Sequence, residues 1–315
     1  MKRIICCLLI LLTFSSCESE KKFQIYTENE KMSVNENKTV TSYIMGKTQY
    51  GNSSDTPVTL TGFSSLSLQD FSNVETIPSG FSTTKISHSY GVAKNEVPHE
   101  ISLDSQRFFE NKGYNAVTLD TTPGTKNVYL TFDVGYDNGY TEIILDTLKE
   151  KCVKAAFFCT VDEMKSNPEA IARMICEGHV VGNHTVNHPS MAEITREEMI
   201  NEIKGFDDYL RTNFGYSSPY FRFPKGEYSE EALDVAGDMG YLSVFWSLSY
   251  ADWDTENQKS PAYAHDTVIS RIHPGAVILL HAVSRDNAYA LGDIIDSVEN
   301  MGYIFESIEN YRNNN

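Results

Sequence analysis

The sequence predicts an α/β fold, a single β/α barrel preceded by an N-terminal tether. From Lys126 onward, short apolar runs that are typical of strands alternate with segments whose apolar residues recur at helical spacing. This alternation is unbroken from Val128 to Ile308, which indicates one domain with a parallel sheet and helices outside it. Because the chemistry of β/α barrels lies where strands end and loops begin, polar residues directly after the apolar runs are the first candidates for a site.

The strands are predicted from the apolar runs themselves. Each run is short and is followed by polar residues or by the start of a helical pattern, as expected for a buried strand in a β/α unit. In chain order the predicted strands are residues 128–132, 153–158, 179–181, 220–223, 241–246 and 276–280.

The helices are predicted from apolar stripes and from end signals. Asn167-Pro168 places a proline in a first helical turn, and Gly178 follows the same helix. Thr195-x-x-Glu198 is a capping box, in which each residue bonds the backbone of the other. The predicted helices carry, in order, Thr141, Ile144, Leu145 and Leu148; Ile171, Met174 and Ile175; Met199, Ile203, Phe206 and Leu210; residues 229–239; and Leu291, Ile294, Ile295 and Val298.

Residues 1–17 predict a lipoprotein-type signal peptide. Lys2 and Arg3 precede an apolar stretch, and small residues then lead to Cys17, which resembles the lipobox of bacterial lipoproteins. The predicted product is exported and anchored at the cell envelope through a lipid on Cys17. A plain signal peptide, or an uncleaved anchor with Cys17 incidental, is the alternative.

Residues 18–85 are interpreted as a tether or loosely folded extension, because they are rich in Ser, Thr, Asn and charge without a sustained period. Residues 58–61 and 65–68 alternate well enough for short strands, so a folded extension stays open. Residues 86–315 are assigned to the catalytic domain.

Composition excludes several classes of protein. The chain has 315 residues, 41% of them hydrophobic, and 26 Lys+Arg against 43 Asp+Glu give a net charge of −17. A core of useful size is therefore expected, and nucleic acid is not expected as a partner. Beyond the N-terminus no apolar run reaches the roughly 20 residues of a spanning helix. The later cysteines form no C-x-x-C motif, and we interpret Cys152 and Cys159 as small buried hydrophobes.

Polar residues follow several of the predicted strands. Any one of them has an ordinary structural explanation, such as a helix cap or a core histidine. The pair His184-x-x-x-His188 is more specific, because this spacing places two imidazoles on one face of a helical turn and so predicts part of a divalent metal site. The residues in question are Asp133, His184, His188, Arg222, Asp252 and His281.

Five segments together resemble a known family. They are Thr131-Phe132-Asp133-Val134-Gly135-Tyr136-Asp137-Asn138-Gly139-Tyr140-Thr141, His184-Thr185-Val186-Asn187-His188-Pro189, Arg222-Phe223-Pro224-Lys225-Gly226, the stretch from Phe245-Trp246-Ser247 to Asp252-Trp253, and the stretch from His273-Pro274-Gly275 to His281. In this order they resemble the polysaccharide deacetylases of carbohydrate esterase family 4 (the NodB homology domain). The likeness spans roughly residues 90–308 and is greatest for enzymes that de-N-acetylate muramic acid on the way to muramic δ-lactam. It implies a distorted (β/α)7 barrel with an open groove for a glycan strand at the C-terminal face.

The resemblance also implies a role for each residue. Asp133 matches the general base and Arg222 the residue that orients it, while His184 and His188 match the metal-binding pair. His281 matches the general acid and Asp252 the carboxylate that tunes it. Trp253 matches the wall of the groove, and Tyr136, Pro224 and Gly226 are assigned to substrate contacts.

The metal site implied in this way lacks one protein ligand. The usual second Asp of the first motif is Val134, in agreement with the muramic acid subgroup, so a weakly bound divalent metal, most simply zinc, is expected. Asp137, water or substrate could fill the open positions. Arg222, Lys225 and Arg285 could make the groove locally positive despite the acidic chain.

The function predicted is metal-assisted general acid/base hydrolysis of N-acetyl groups in peptidoglycan, most simply those of N-acetylmuramic acid. The expected partners are a peptidoglycan strand and the membrane, with no nucleic acid, and the chain is expected to be a monomer. The alternatives are a catalytically silent glycan-binding lipoprotein, or a deacetylase of N-acetylglucosamine, chitin-type or O-acetylated glycans.

Overall fold

Parallel strands and helices alternate along residues 80–314, the part of the chain that this computed structural model describes. The predicted signal peptide, Cys17 and most of the predicted tether lie outside the described residues. None of the described helices is long and apolar enough to span a bilayer. The elements are β1 (Ile86–Ser87), α1 (Glu100–Lys112), β2 (Ala116–Val117), β3 (Asn127–Val134), α2 (Thr141–Glu150), β4 (Ala156–Cys159), α3 (Val161–Ser166), α4 (Pro168–Cys176), β5 (Val180–Asn183), α5 (Arg196–Phe214), β6 (Tyr220–Phe221), β7 (Glu227–Tyr228), α6 (Glu230–Asp238), β8 (Leu242–Val244), α7 (Pro261–Arg271), β9 (Val277–His281), α8 (Arg285–Asn300), β10 (Ile304–Phe305) and α9 (Ile308–Asn314).

The sheet is parallel and curled. Its order is β10-β3-β4-β5-β6-β8-β2, and β9 pairs with β3. Because β10 pairs only with the first two residues of β3, seven parallel strands form the wall. Single bridges from β9 to Leu248 and from Ala276 to Leu119 complete the ring in place of full ladders. The predicted distorted (β/α)7 barrel is therefore confirmed.

Residues on alternate positions of β3 face opposite sides of the wall. Tyr129 packs with apolar residues inside the barrel, whereas Phe132 and Val134 belong to the larger core between strands and helices. Because side chains alternate along a strand, Asp133 faces the barrel interior and Val134 faces the helices.

The predicted elements are present, and their ends differ by a few residues. The capping box at Thr195 and Glu198 begins α5, and proline at position 168 begins α4. The interpretation of Cys152 was wrong: it is exposed at a φ of 57° in the turn after α2, whereas Cys159 is buried at the end of β4. The chain reverses in this surface turn, so the side chain of Cys152 points outward. The apolar run that follows in the sequence does not indicate the turn.

The segment before residue 86 also contacts the barrel. The Ser82 backbone oxygen accepts from the N–H of Glu231 at 3.1 Å, and Lys85 pairs with Glu193 at 2.7 Å. β1 then pairs antiparallel with β7, next to the loop that carries Arg222.

Candidate active site

The carboxyl ends of the parallel strands bring the predicted polar residues to one edge of the barrel. β3 pairs with β9 in a register that places Asp133 opposite His281. β5 and β6 are neighbours, and His184 and Arg222 directly follow them. Asp252 comes from the loop after β8 and reaches His281.

Asp133 is held by a buried arginine. Arg222 Nη1 donates to Asp133 Oδ1 at 2.8 Å, and the Arg222 side chain is fully buried. Its Nε donates to the Val244 backbone oxygen and its Nη2 to Thr131 Oγ1, both at 2.9 Å. Burial alone raises the pKa of Asp133, but nearby positive charge, chiefly Arg222, outweighs this and holds the pKa below its ordinary value. Asp133 is therefore an oriented anion, as a proton acceptor must be.

His184 and His188 lie on a loop and not on a helical turn, so the prediction from their spacing was wrong on this point. Residues 184–190 are not helical, and Thr185 and His188 have φ values of 71° and 57°. Thr185 Oγ1 accepts from the N–H of His188 at 2.9 Å. Glu202 of α5 accepts two further backbone N–H groups of the loop, at 2.9 and 2.8 Å. Left-handed residues fixed by side-chain bonds thus bring the rings together without a helix.

The two imidazoles face each other. Nδ1 of His184 lies 2.9 Å from the Arg222 backbone oxygen, which it can approach only as a donor, so Nε2 carries the lone pair. His184 Nε2 lies 3.1 Å from His188 Nε2 and 3.6 Å from Asp133 Oδ2. Burial lowers the pKa of His184 to about 4 and also lowers that of His188. Two neutral imidazole nitrogens at this separation fit one divalent ion, since Zn–N bonds are about 2.0–2.1 Å.

Neither Val134 nor Asp137 of the first motif adds a third ligand to the pair of imidazoles. Val134 is buried in the layer between sheet and helices. Asp137 Oδ1 accepts from the N–H of Gly139 at 3.0 Å and from the hydroxyl of Thr141 at 2.8 Å, where it supports the start of α2. In the described part of the chain, no group of three or more His, Cys, Asp or Glu side chains converges on a metal position. The residues present fit a cation held by two imidazoles, with its other positions open to water or substrate.

His281 is paired with a buried carboxylate. Asp252 Oδ1 lies 2.7 Å from His281 Nδ1, and Asp252 Oδ2 accepts the backbone N–H of His281 at 2.7 Å. Asn287 of α8 donates to the same carboxylate. Burial lowers the pKa of His281, but the charge of Asp252 and its hydrogen bond outweigh this, so the pKa lies above its ordinary value. His281 therefore keeps a proton towards neutral pH and can act as a donor.

The four residues predicted to contact substrate form two groups. Trp253 and Tyr136 are exposed, with 59% and 53% of their surface accessible. Pro224 and Gly226 belong to a buried turn. The exposed rings are available to a ligand, whereas the turn packs against Trp246 and His88.

A cavity of about 180 Å³ adjoins this edge. Trp253 lines it with Tyr250, Tyr263 and Lys259, and Asp252 lies in its wall. The cavity extends from the pair of His281 and Asp252 towards the start of α7.

Three residues that support the site were not predicted. Thr131 lies two positions before Asp133 on the same face of β3, so strand periodicity could have identified it. Glu202 and Asn287 lie inside helices, and only the tertiary fold brings them to the loop of the imidazole pair and to Asp252.

Comparison with known proteins places this site in a family. The profile described as "Polysaccharide deacetylase" matches residues 120–244, which include Asp133, His184, His188 and Arg222. The peptidoglycan-N-acetylmuramic acid deacetylase PdaA of Bacillus subtilis is 43% identical over 197 residues, 62% of this chain and 74% of that protein. The peptidoglycan-N-acetylglucosamine deacetylase of Bacillus cereus is 34% identical over 171 residues, 54% of this chain and 61% of that protein.

The fold agrees with this assignment. The structure of Bacillus subtilis PdaA, described as a family 4 carbohydrate esterase, matches with a TM-score of 0.68 and 38% identity over 73% of this chain and 97% of that one. The chain therefore belongs to the polysaccharide deacetylases of carbohydrate esterase family 4.

Proposed function

We propose that the chain hydrolyses the N-acetyl group of N-acetylmuramic acid residues in peptidoglycan. The observation that carries this proposal is the presence, at one edge of the barrel, of a carboxylate fixed by Arg222 and an imidazole fixed by Asp252. A groove that only binds glycans needs neither an oriented base nor a tuned acid. Muramic acid is favoured because the muramic acid deacetylase is 43% identical to this chain and the glucosamine deacetylase 34%.

The two fixed groups divide the proton transfers. Asp133 takes a proton from the attacking water, whose oxygen bonds to the amide carbon. His281 gives its proton to the amide nitrogen, so the carbon–nitrogen bond breaks and the amine and acetate leave. The opposite pKa directions of the two groups keep one deprotonated and the other protonated at the same pH, as acid–base catalysis requires.

A divalent metal, with zinc as the first to test, is part of the proposal. His184 and His188 would hold it through their neutral Nε2 atoms. A bound divalent ion would polarise the amide carbonyl and lower the pKa of water. With only two imidazoles as ligands, its affinity is expected to be low enough for a chelator to remove it.

Acetate release by the full chain tests this function. The substrates are peptidoglycan strands, intact and stripped of peptides, with mass spectrometry to identify the modified sugar and with chelator and added zinc as separate arms. Asp133→Asn should abolish release, whereas Asp162→Asn, which removes a carboxylate whose side chain is 78% exposed, should not. Acetate from glucosamine residues or from O-acetyl groups alone would overturn the choice of sugar. Strand binding without any acetate would leave a glycan-binding protein.

The site of action is proposed from the N-terminal sequence. Lys2, Arg3, the apolar stretch and Cys17 support export and lipid attachment, which would hold the enzyme beside the cell wall. Metabolic labelling with a radioactive fatty acid should mark the wild-type chain and not Cys17→Ser. Equal labelling of the two would contradict the anchor.

A further inference from the structure

Lys225 is an exposed cation at the rim of the active site. It forms no ion pair within the described part of the chain. It lies in the short turn Pro224–Gly226 that follows β6, three residues after Arg222, whose guanidinium bonds the Asp133 carboxylate. A lysine side chain in this position can be directed at a ligand that is seated on the imidazoles.

The backbone beneath Lys225 is fixed. Lys225 has a φ of 60° and Gly226 a φ of 65°, and the Gly226 N–H donates to the Phe223 backbone oxygen at 3.0 Å. A Cβ at position 226 would lie 2.7 Å from the Trp246 ring and 3.2 Å from His88. This close packing holds the turn against the barrel, so the point from which the lysine extends is set by the fold.

Two other cations of this region, Arg222 and Arg285, are matched by carboxylates, whereas Lys259 in the neighbouring cavity lies over the Tyr263 ring, 4.0 Å from its centroid. Arg222 is buried and bonded to Asp133. Arg285 donates to Asp286 through Nε at 3.1 Å and Nη2 at 2.9 Å.

The carboxylate nearest to Lys225 in sequence is also engaged elsewhere. Glu227 pairs with Lys85 at 3.4 Å, and the charge of Lys225 acts on it only at longer range, without an ion pair. The positive charge of Lys225 is therefore available to an anion from outside the protein.

The sugar in the proposed reaction carries such an anion. Muramic acid differs from glucosamine by a lactyl ether on the ring carbon next to the one that bears the amide. When the amide lies between Asp133 and His281, the lactyl carboxylate must lie within a few bonds of it, at the rim of the site. We infer that Lys225 binds this carboxylate and so selects muramic acid over glucosamine residues; this inference rests on the proposed function.

The test compares the full-length wild type with Lys225→Gln and Lys225→Arg, using peptide-free strands before and after amidation of the lactyl carboxylates. Loss of one charge-assisted contact should raise KM of Lys225→Gln for the unmodified strand about tenfold, with kcat changed less than about twofold. Lys225→Arg should restore most of the binding, because it keeps the charge. Lys126→Gln removes an exposed lysine before β3, at the opposite end of the strand from Asp133, and should match the wild type.

Amidated strands separate this role from a structural one. Wild type and Lys225→Gln should have equal KM values for them, because the anion is gone. An unchanged KM of Lys225→Gln on the unmodified strand, or an equal loss on both strands, would overturn the inference while leaving the proposed function intact. A wild type that acts on glucosamine residues and not on muramic acid would overturn both.

Discussion

Asp252 keeps the pKa of His281 above its ordinary value even though burial alone would lower it. As the proposed acid, His281 must be protonated, so activity should fall as the pH rises through its pKa. Asp252→Asn removes the charge that raises this pKa. The basic limb of the kcat/KM profile should therefore move to lower pH, as measured by acetate release across a pH series.

Asp254→Asn is the matched control for this shift. Asp254 lies two residues further along the same loop and accepts from the N–H of Glu256 at 3.1 Å instead of contacting His281. Its loss should leave the basic limb in place. If Asp252→Asn did not move the limb, or if both variants moved it equally, the assignment of His281 as the tuned acid would fail.

Glu163 is a buried carboxylate that the proposed reaction does not use. Its side chain is fully buried, and the neighbouring polar groups of Asn167, Ser166 and the Asp137 backbone offset this burial only in part. Burial, followed by the charge of Asp137, raises its pKa from 4.5 to about 7. The folded state therefore binds this proton more tightly than the unfolded state does. The resulting contribution of Glu163 to the free energy of unfolding is fully present below the unfolded-state pKa and is lost as the pH rises through about 7.

Glu163→Gln should remove this pH dependence. Between about pH 4.5 and pH 8 the wild type should lose about 3 kcal/mol of unfolding free energy relative to the variant, since each pKa unit corresponds to about 1.4 kcal/mol. Denaturant unfolding at several pH values measures the difference. Glu169→Gln changes an exposed glutamate at the start of α4 and should follow the wild type. If the unfolding free energies of wild type and Glu163→Gln changed in parallel with pH, the pKa of Glu163 would not be raised in the folded state.

At the level of elements, β9 is placed by the glycine turn that precedes it. Gly275 has a φ of 74°, its N–H donates to the Asn127 backbone oxygen at 2.9 Å, and its own oxygen accepts from Asp120 at 2.9 Å. An added Cβ would lie 1.9 Å from the Asp120 oxygen. Since that atom belongs to the backbone, the turn and the strand carrying His281 would have to move.

Gly275→Ala and Gly302→Ala separate steric clash from left-handed strain. Gly302, between α8 and β10, has a φ of 83°, and an added Cβ there meets no atom within 4 Å. Gly302→Ala should lower the free energy of unfolding only by the strain of a left-handed alanine, about 1–2 kcal/mol. Gly275→Ala should cost a further 1–3 kcal/mol or so from overpacking and should also reduce activity. Denaturant unfolding compares the two, and equal losses would show that the contact with Asp120 relaxes freely.

The elements that the sequence revealed are those with a dense apolar pattern. β3 and α5 bury continuous stripes, and the capping box marks the start of α5 locally. α1 was not predicted, because it buries only Ser102, Gln106 and Phe109 and so has no apolar stripe. α7 does begin with a recognisable signal, Ser260 as N-cap followed by proline, but it buries only Ala264, Thr267 and Val268 and so lacks a strong apolar stripe.

The candidate site was predictable to the extent that its residues stand at strand ends. Asp133 and His281 follow or end apolar runs, and pairing of β3 with β9 joins them. The loop of His184 and His188 was not predictable, because its left-handed residues are Thr185 and His188 and not glycines. Its conformation depends on Glu202, which a distant helix supplies.

For the whole molecule, net charge and local charge act in opposite directions on an anionic substrate. The chain carries a net charge of −17, whereas Lys225 offers an exposed positive charge on the turn that follows Arg222. Long-range repulsion governs encounter and is screened by salt, with a Debye length falling from about 30 Å at 0.01 M to about 8 Å at 0.15 M. Raising the salt over this range should therefore increase kcat/KM for peptide-free strands, by a factor of about three.

Amidated strands provide the control for this salt effect, because without lactyl carboxylates they are not repelled and their kcat/KM should stay nearly constant. Lys225→Gln should show the same upward trend as the wild type, since the repulsion comes from the whole chain and not from the rim. A fall of kcat/KM with salt on the unmodified strand would mean that local positive charge dominates even the encounter. In that case the acidic residues must be arranged away from the groove, and the net charge would say nothing about how this enzyme approaches its substrate.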